Sequence, residues 1–364
     1  MKNKILFIKR HDSNAKFVTN DIPILKSKYD VKVDEVNVSK SIAFIFTFTV
    51  KFFGYLFSLW RYDLVYIWFA DYHSFLPILF SKLFRKKSII CAGGYESTYI
   101  PEIDMGVFTK ATLRKRLRCF CASYSLKNCD LILPVDESLI EHENSYIYSD
   151  KPGKPILKDG IKNFVQVKGR FETVHLSYDS DYFKKNPSIK KEKAVVSVGL
   201  ITNENEFRRK GFDVLVESSK VLTDTKFILA GLSDEYFQKL KSLNLNNLEL
   251  YKTVSYDKLI ELFSRAKVYS QLSLFEGMPS TICEAMLCEC IPVGSSVNAI
   301  PHIIGDCGFV VHEKNIQAIT KALSDALNAD NSLAIKSRER IISLFSPAKR
   351  QSHILRHVDT LLKI

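Results

Sequence analysis

Residues 273–287 read Ser273-Leu274-Phe275-Glu276-Gly277-Met278-Pro279-Ser280-Thr281-Ile282-Cys283-Glu284-Ala285-Met286-Leu287. Residues 267–274 ahead of them predict a buried strand, Gly277 and Pro279 a tight loop, and the residues from about Thr281 a helix. A strand running through a short loop into a helix is one step of a doubly wound α/β sheet, which holds ligands at the carboxyl ends of its strands. Two carboxylates, Glu276 and Glu284, bracket the loop with seven residues between them. Gly277 lets backbone come close to a ligand and Pro279 stiffens the entry to the helix. The helix start presents unpaired N–H groups and a positive dipole end, which suit phosphate. One carboxylate for sugar hydroxyls, one for a ribose and a helix end for a diphosphate together suit a nucleotide sugar. The same residues carry a plainer reading. Thr281-x-x-Glu284 is also a capping box, in which Glu284 only closes the first helical turn and Glu276 is a solvated loop carboxylate. Spacing leaves both open.

Outward from this stretch, strands and helices alternate in both directions. Behind it lie strands at 194–200, 227–230 and 248–253, with helices at 211–222, 234–243 and 256–266. Ahead lie a strand at 291–294 and helices at 315–328, 332–344 and 347–362. The first half repeats the pattern, with strands at 5–9, 31–36, 63–70, 88–92, 131–135 and 172–176 and helices at 16–28, 73–84 and 109–126. Strands alternating with helices predict parallel sheets, and 364 residues suit two domains of about 150–200 each. The polar, Pro-containing run YDSDYFKKNPSIKKEK at 178–193 reads as the linker between them. The expected division is therefore 1–177, a linker at 178–193, 194–346, and a terminal helix at 347–364.

A hydrophobic content of 46% with 12% aromatic residues argues against disorder. The formal charge of +12 calls for an anionic partner. Basic residues do not interleave with aromatics in a base-reading pattern, and no finger or helix-turn-helix spacing occurs, so nucleic acid is not expected. Cys119-x-Cys121 and Cys288-x-Cys290 lack zinc-ligand spacing, and no Cys-x-x-Cys occurs among the eight cysteines. Reduced, buried thiols in the cytoplasm are expected. The apolar run at the N-terminus is too short for a signal peptide and reads as a first strand.

Two segments of the first half suggest a surface that meets a membrane. Residues 41–60, SIAFIFTFTVKFFGYLFSLW, are strongly apolar apart from a narrow stripe of Thr47, Lys51, Gly54 and Ser58. A helix packed on a sheet needs one apolar face, and this one has more. The surplus suits a membrane surface or a partner, while a core helix in an aromatic-rich domain is the alternative. Lys110, Arg114 and Arg118, with Lys115 and Arg116, make a basic stripe fit for anionic headgroups, or else a solvated helix face.

Glu276-Gly277-Met278-Pro279…Glu284-Ala285-Met286 resembles the E-x7-E signature of the retaining glycosyltransferases of family 4, which have the GT-B fold of two Rossmann-like domains. Val198-Gly199-Leu200…Arg209-Lys210-Gly211-Phe212-Asp213 is similar to the family's phosphate-binding segment. Ile291-Pro292-Val293-Gly294 and Ile300-Pro301…Gly305-Asp306…Gly308 resemble its following strand and loop. The resemblance covers most of the C-terminal half. It implies a donor site facing a cleft between the domains, with a terminal helix crossing back to the first. Glu276 would bind the transferred sugar and Glu284 the ribose, with Gly277, Met278 and Pro279 lining the sugar pocket. Ser280 and Thr281 would lie near the phosphates, Gly199 on the donor side, and Val254 at the base. Lys210, with Arg209 or Arg208, would hold the leaving diphosphate.

The transfer implied is a same-face displacement without a protein nucleophile, a metal or a cofactor other than the nucleotide-sugar substrate. The first domain would hold a glycan or lipid-linked acceptor, with His73, Glu96 and Ser13 as candidates at strand ends. The expected protein is thus a retaining glycosyltransferase, peripheral on the cytoplasmic face of the membrane. Leu200 stands where the family has an Arg, which motivates an alternative, a non-catalytic nucleotide-sugar-binding or scaffold subunit. A basic membrane-binding protein with an accidental motif is the third reading, and nucleotide-sugar binding and turnover separate the three.

Overall fold

The computed structural model describes residues 2–13, 15–38, 43–151 and 153–363; Ser41 and Ile42 of the apolar segment and Ile364 of the terminal segment above lie outside these. The chain divides into two compact units. Unit 1 comprises Met1–His142, Lys158–Ser177 and Ala348–Ile364, and unit 2 comprises Glu143–Leu157 and Tyr178–Pro347.

Unit 1 contains β1 (Lys4–Arg10), β2 (Asp30–Val36), β3 (Leu64–Trp68), β4 (Lys87–Ala92) and β5 (Leu131–Pro134). Short strands β6 (His142–Asn144) and β7 (Leu157–Asp159) lie where the chain leaves this unit and returns, and β8 (Arg170–Phe171) completes its sheet. The sheet is wholly parallel in the order β2-β1-β3-β4-β5-β8. Every residue of β3 is buried, as in a strand covered on both faces. The order reverses between β1 and β3, so the loops after these two strands diverge and leave a crevice at their carboxyl ends.

Unit 2 contains β9 (Glu192–Ile201), β10 (Lys226–Leu232), β11 (Leu248–Tyr251), β12 (Ala266–Gln271), β13 (Ile291–Ser295) and β14 (Phe309–Val311). The order β11-β10-β9-β12-β13-β14, again wholly parallel, is that of a Rossmann sheet, with its reversal between β9 and β12. All eight cysteines are buried, unbridged thiols.

The terminal helix, Pro347–Leu362, packs in unit 1 through a charge that its core had to accommodate. Arg350 donates to both oxygens of Asp21 at 2.9 Å, and to the carbonyls of Val174 and His175 at 3.1 and 2.7 Å. Tyr66 and Trp68 donate to the same Asp21 carboxylate, each at 2.9 Å.

Several expectations need correction. Residues 178–193 are not a linker but part of unit 2. The Lys191 ammonium donates to the carbonyls of Phe263, Ala266 and Cys288 at 2.7–2.9 Å, and Arg338 donates to the Ser180 carbonyl at 2.8 Å. Of the charges that mimicked a solvated linker, Lys191 thus caps backbone carbonyls and Lys185 pairs with Glu289 at 3.5 Å. Glu143–Leu157 also belongs to unit 2, where buried Asn144 donates to the Leu274 carbonyl at 2.8 Å. The strand expected at 172–176 lies instead at Arg170–Phe171, beyond which carbonyls of the segment turn to Arg350. The helix expected from 109 runs instead from Leu113 to Asn128, because Thr112 caps it by accepting from the Lys115 N–H at 3.2 Å.

That shift breaks the basic stripe. Lys110 precedes the helix, Arg118 turns onto Asp71 at 2.5 Å, and Lys115 pairs with Asp104. The aromatic helix, Ala43–Ser58, packs on the core of unit 1 through Phe48, Tyr55 and Leu56. Lys51 of its polar stripe borders that face, where Lys51 and Tyr55 both donate to Asp34, while Gly54 of the stripe is exposed. The opposite side, also apolar, faces out, with Ile45, Phe46, Phe53 and Phe57 between 52% and 72% exposed. No helix among the described residues is long and apolar enough to cross a membrane.

Candidate active site

At the reversal point of unit 2, two loops bring the candidate residues together. The loop after β9 leads through helix Glu204–Arg209 to Lys210 and Gly211, and the loop after β12 carries Glu276. Gly211 has φ +71°, and a Cβ there would lie 2.2 Å from the Leu272 carbonyl. Only glycine fits, and this close approach sets Lys210 beside the end of β12. The Leu274 N–H, bonded to the Arg209 carbonyl at 2.8 Å, ties the loops together.

Glu276 is 8% exposed and sits at the centre. Its Oε1 accepts from Lys210 Nζ at 2.6 Å, from Ser273 Oγ at 2.8 Å and from Gln271 Nε2 at 3.3 Å, with Arg209 Nη1 3.7 Å away. Its backbone N–H donates to Asn298 Oδ1 at 3.3 Å. Burial pushes the Glu276 carboxyl up, but the Lys210 and Arg209 charges outweigh it and hold the group below the usual carboxylate value. Burial opposes the charge on Arg209, which Glu276 and Glu206 sustain. The result is an ionised, buried carboxylate with two cations beside it.

Glu284 lies buried on helix Ser280–Leu287. The N-cap of that helix is Pro279, without a side-chain cap bond, so the capping-box reading of Thr281 and Glu284 does not hold. Thr281 Oγ1 instead lies 2.7 Å from the Tyr269 hydroxyl, which also lies 2.8 Å from Gln271 Oε1. Gln271 therefore links Thr281 at the helix start to Glu276 in the loop. Met278 and Pro279 are buried, while Gly277 and Ser280 are half-buried around the loop. Gly199 packs on the Lys210 stem, where a Cβ would stand 3.2 Å from Lys210 Cγ. Val254 is half-buried in the turn after β11. Arg208 is exposed, so of the two arginines Arg209 is the one beside Glu276. Leu200, where the resemblance leads one to expect an Arg, is 68% exposed.

A second polar site lies at the reversal point of unit 1. Arg10, Asp12, Ser13, Phe69, Asp71, Tyr95, Glu96 and Arg118 line a cavity of about 440 Å³ there. Glu96 and Ser13 thus share a pocket, but His73 does not. Its ring is buried, with Nε2 2.8 Å from the Trp68 carbonyl, and it lines a narrow crevice beside helix Ala43–Ser58.

Residues 179–343 match the model of the family described as glycosyl transferases group 1. This segment belongs to that family. Over 194 residues the chain is 26% identical to N-acetyl-alpha-D-glucosaminyl L-malate synthase of Bacillus anthracis, covering 51% of this chain and 47% of that protein. Over 70 residues it is 31% identical to O-antigen chain mannosyltransferase B of Escherichia coli, covering 19% and 18%. The chain thus spans about half the length of the first of these curated relatives and less of the second. Among solved structures, sucrose-phosphate synthase from Thermosynechococcus elongatus superposes with a TM-score of 0.72 at 15% identity, covering 100% of both chains. A glycosyltransferase from Rickettsia africae gives 0.68 at 16% identity over 100% and 99%. Anabaena HepE, solved with UDP and glucose, gives 0.68 at 14% over 99% and 100%. The two Rossmann-like units are those of the GT-B fold.

The family motif led to Glu276, Glu284 and Lys210 but not to the polar residues that hold them. Gln271, Ser273 and Asn298 were missed, and so were Asp71 and Arg118 in unit 1. One signal was present in the sequence. Gln271 and Ser273 stand two apart at the end of an apolar strand, on one face, where an unexplained polar pair marks a buried network.

Proposed function

We propose that this protein is a retaining glycosyltransferase, moving a sugar from a nucleotide-diphosphate sugar to a lipid-linked or surface-glycan acceptor at the cytoplasmic face of the membrane. One observation carries the reading. Lys210 and Glu276, from different loops, form a buried 2.6 Å pair at the reversal point of the family-matched sheet. Donor binding redistributes this pair. The diphosphate takes over the Lys210 ammonium and the Arg209 guanidinium, and Glu276 turns to accept from hydroxyls of the transferred sugar. Glu284 holds the ribose, and Val254 meets the base. Backbone of Gly277, Met278 and Pro279 borders the sugar, with Ser280 and Thr281 toward the phosphates.

As the bond from the anomeric carbon to the phosphate oxygen breaks, negative charge grows on the leaving diphosphate, where both cations wait. The acceptor oxygen attacks on the same face, and its proton passes to the departing phosphate oxygen. The two cations supply the positive charge that a metal supplies elsewhere, so the reaction runs without one. Arg209 also compensates for Leu200, which weakens the case for a non-catalytic subunit.

The outward apolar side of Ala43–Ser58 supports action at a membrane. Leu117 and Phe120 on the next basic helix are 47% and 56% exposed and border a groove shared with Phe44, Ile45 and Phe48, and Leu113 on the same helix is 83% exposed. Exposed Lys110, Arg114 and Arg116 accompany that face and match anionic headgroups.

Incubating the purified chain with a panel of UDP-, GDP- and dTDP-sugars and following nucleoside diphosphate release tests the proposal. Glu276→Ala and Lys210→Ala are each expected to abolish release while circular dichroism shows a folded protein. Near-normal release by both variants would overturn the roles, and donor binding without release by the unsubstituted protein would favour a scaffold subunit.

A further inference from the structure

We propose that Gln271 is a positioning residue for Glu276: with Ser273 it pins Oε1 of that carboxylate through uncharged donors, so that Oε2 stays turned to the sugar once the diphosphate has drawn Lys210 away. The inference rests on the transferase reading above and adds the residue that keeps Glu276 in place when its ion pair opens.

The two oxygens of Glu276 are used unevenly. Oε1 accepts from Lys210 Nζ, Ser273 Oγ and Gln271 Nε2. Oε2 accepts from none of the described residues, yet it is not sealed from solvent. One oxygen is thus held by the protein and the other is left for a ligand. The charged groups that face the carboxyl are Lys210 and Arg209. A diphosphate competes with it for both cations. Once it has them, the Ser273 hydroxyl and the Gln271 amide are the donors that remain on Oε1.

Gln271 is oriented for this task from its other end. It is 2% exposed, and its Oε1 lies 2.8 Å from the Tyr269 hydroxyl and 3.3 Å from Thr281 Oγ1. Tyr269 is fully buried, and burial pushes its hydroxyl well up, so it stays protonated and donates. The amide nitrogen then faces Ser273 Oγ at 2.7 Å and Glu276 Oε1 at 3.3 Å. The reversed amide would set its carbonyl oxygen against the carboxylate. Ser273 gives its one hydrogen to Glu276 and therefore accepts from Gln271. Donors run one way, from Tyr269 through Gln271 and Ser273 to Oε1, and none carries a charge that phosphate would attract.

The surroundings fix both ends of this chain. The Ser273 carbonyl accepts from Ser295 Oγ at 2.6 Å, which anchors the loop that carries Glu276. Thr281, 2.7 Å from Tyr269, stands in the first turn of helix Ser280–Leu287, whose start offers N–H groups to phosphate. Gln271 thereby holds the carboxylate meant for the sugar at a set distance from the helix start meant for the diphosphate. Hydrogen bonds to a charged group are stronger than neutral ones, and a chain of them polarises further.

Gln271→Met keeps the volume and removes the donor, while Tyr269 and Thr281 still bond each other. With a nucleotide sugar that the unsubstituted chain turns over, this variant is expected to lower kcat roughly tenfold or more, the loss of a hydrogen bond to a charged group. Donor KM should change little, and the acid limb of kcat should move to higher pH, because the ionised carboxyl has lost a donor. Carbon-13 NMR of the full chain with labelled glutamate carboxyls reads the same role without turnover, the Glu276 signal being identified by its loss in Glu276→Gln. In Lys210→Ala, adding Gln271→Met is expected to raise the Glu276 titration by about one further pH unit. Ser273→Ala is expected to act in the same direction and decides the matter should Gln271→Met fail to fold. An unmoved Glu276 titration in the folded variants overturns the proposal, as does an unmoved acid limb. Absence of nucleoside diphosphate release by the unsubstituted chain fails the transferase reading instead, and the titration still judges this one.

Discussion

Replacing Lys210 with alanine perturbs both stability and chemistry, and the structure fixes the sign of each. The Lys210 and Glu276 side chains are 17% and 10% exposed, so the pair is largely screened from water. Removing one partner of such a pair costs about 3–5 kcal/mol. Arg209 at 3.7 Å and Ser273 at 2.8 Å still face the carboxylate, which puts the expected loss near the lower end, about 3 kcal/mol. The pH dependence follows from linkage. In the unsubstituted protein the Glu276 carboxyl is held below its ordinary value, so its contribution to stability is present above that value and is lost as pH falls through the lower native one. Without Lys210 the effect of burial gains weight and the carboxyl rises. Protonation then relieves the uncompensated charge, and the deficit of the variant narrows from pH 8 toward pH 4.5. Both tryptophans, Trp60 and Trp68, lie in unit 1, so urea unfolding of unit 2 must be followed by far-ultraviolet circular dichroism or hydrogen exchange. Adding Glu276→Gln should recover part of the loss, because the orphaned charge is gone. An equal deficit at both pH values, or none, would show that the pair is not energetically coupled.

Two further outcomes are expected. Arg350→Ala leaves the Asp21 carboxylate buried without its cation and should destabilise unit 1 by about 3–5 kcal/mol, read from Trp68 fluorescence in urea, since the Trp68 indole donates to the same carboxylate. A shift below about 1 kcal/mol would show that water or another group compensates Asp21. Phe53→Asp with Phe57→Asp, at positions 52% and 67% exposed, should reduce co-sedimentation with anionic liposomes several-fold without lowering the melting temperature. Unchanged binding to vesicles would remove this helix from any membrane contact.

The parallel strands were legible because buried runs such as Leu64–Trp68 and Ile291–Ser295 carry almost nothing but apolar residues between turn signals. The sugar-nucleotide motif was legible because its two carboxylates stand at a fixed spacing across a strand-loop-helix step. Orientation was not. Helix periodicity marks Thr47, Lys51, Gly54 and Ser58 as a stripe but cannot say which of the flanking apolar sides packs inward, which depends on Asp34 from β2 receiving Lys51 and Tyr55. The run 178–193 misled for a related reason. A lysine surrounded by polar residues looks solvated, whereas Lys191 closes three carbonyls contributed by residues 72–97 positions away. Glu289 shows the reverse, a local oddity with a visible cause. It stands just past the end of helix Ser280–Leu287 and adopts φ +58°, the left-handed conformation that favours glycine there.

The bond between Asp21 and Arg350 joins residues 329 positions apart. A ribosome adding about 5–20 residues per second needs roughly 15–65 s to cover that interval. Throughout it, the nascent chain carries an acidic group destined for an interior that has no counter-ion yet, so the sheet around Asp21 matures only once the helix bearing Arg350 has been made.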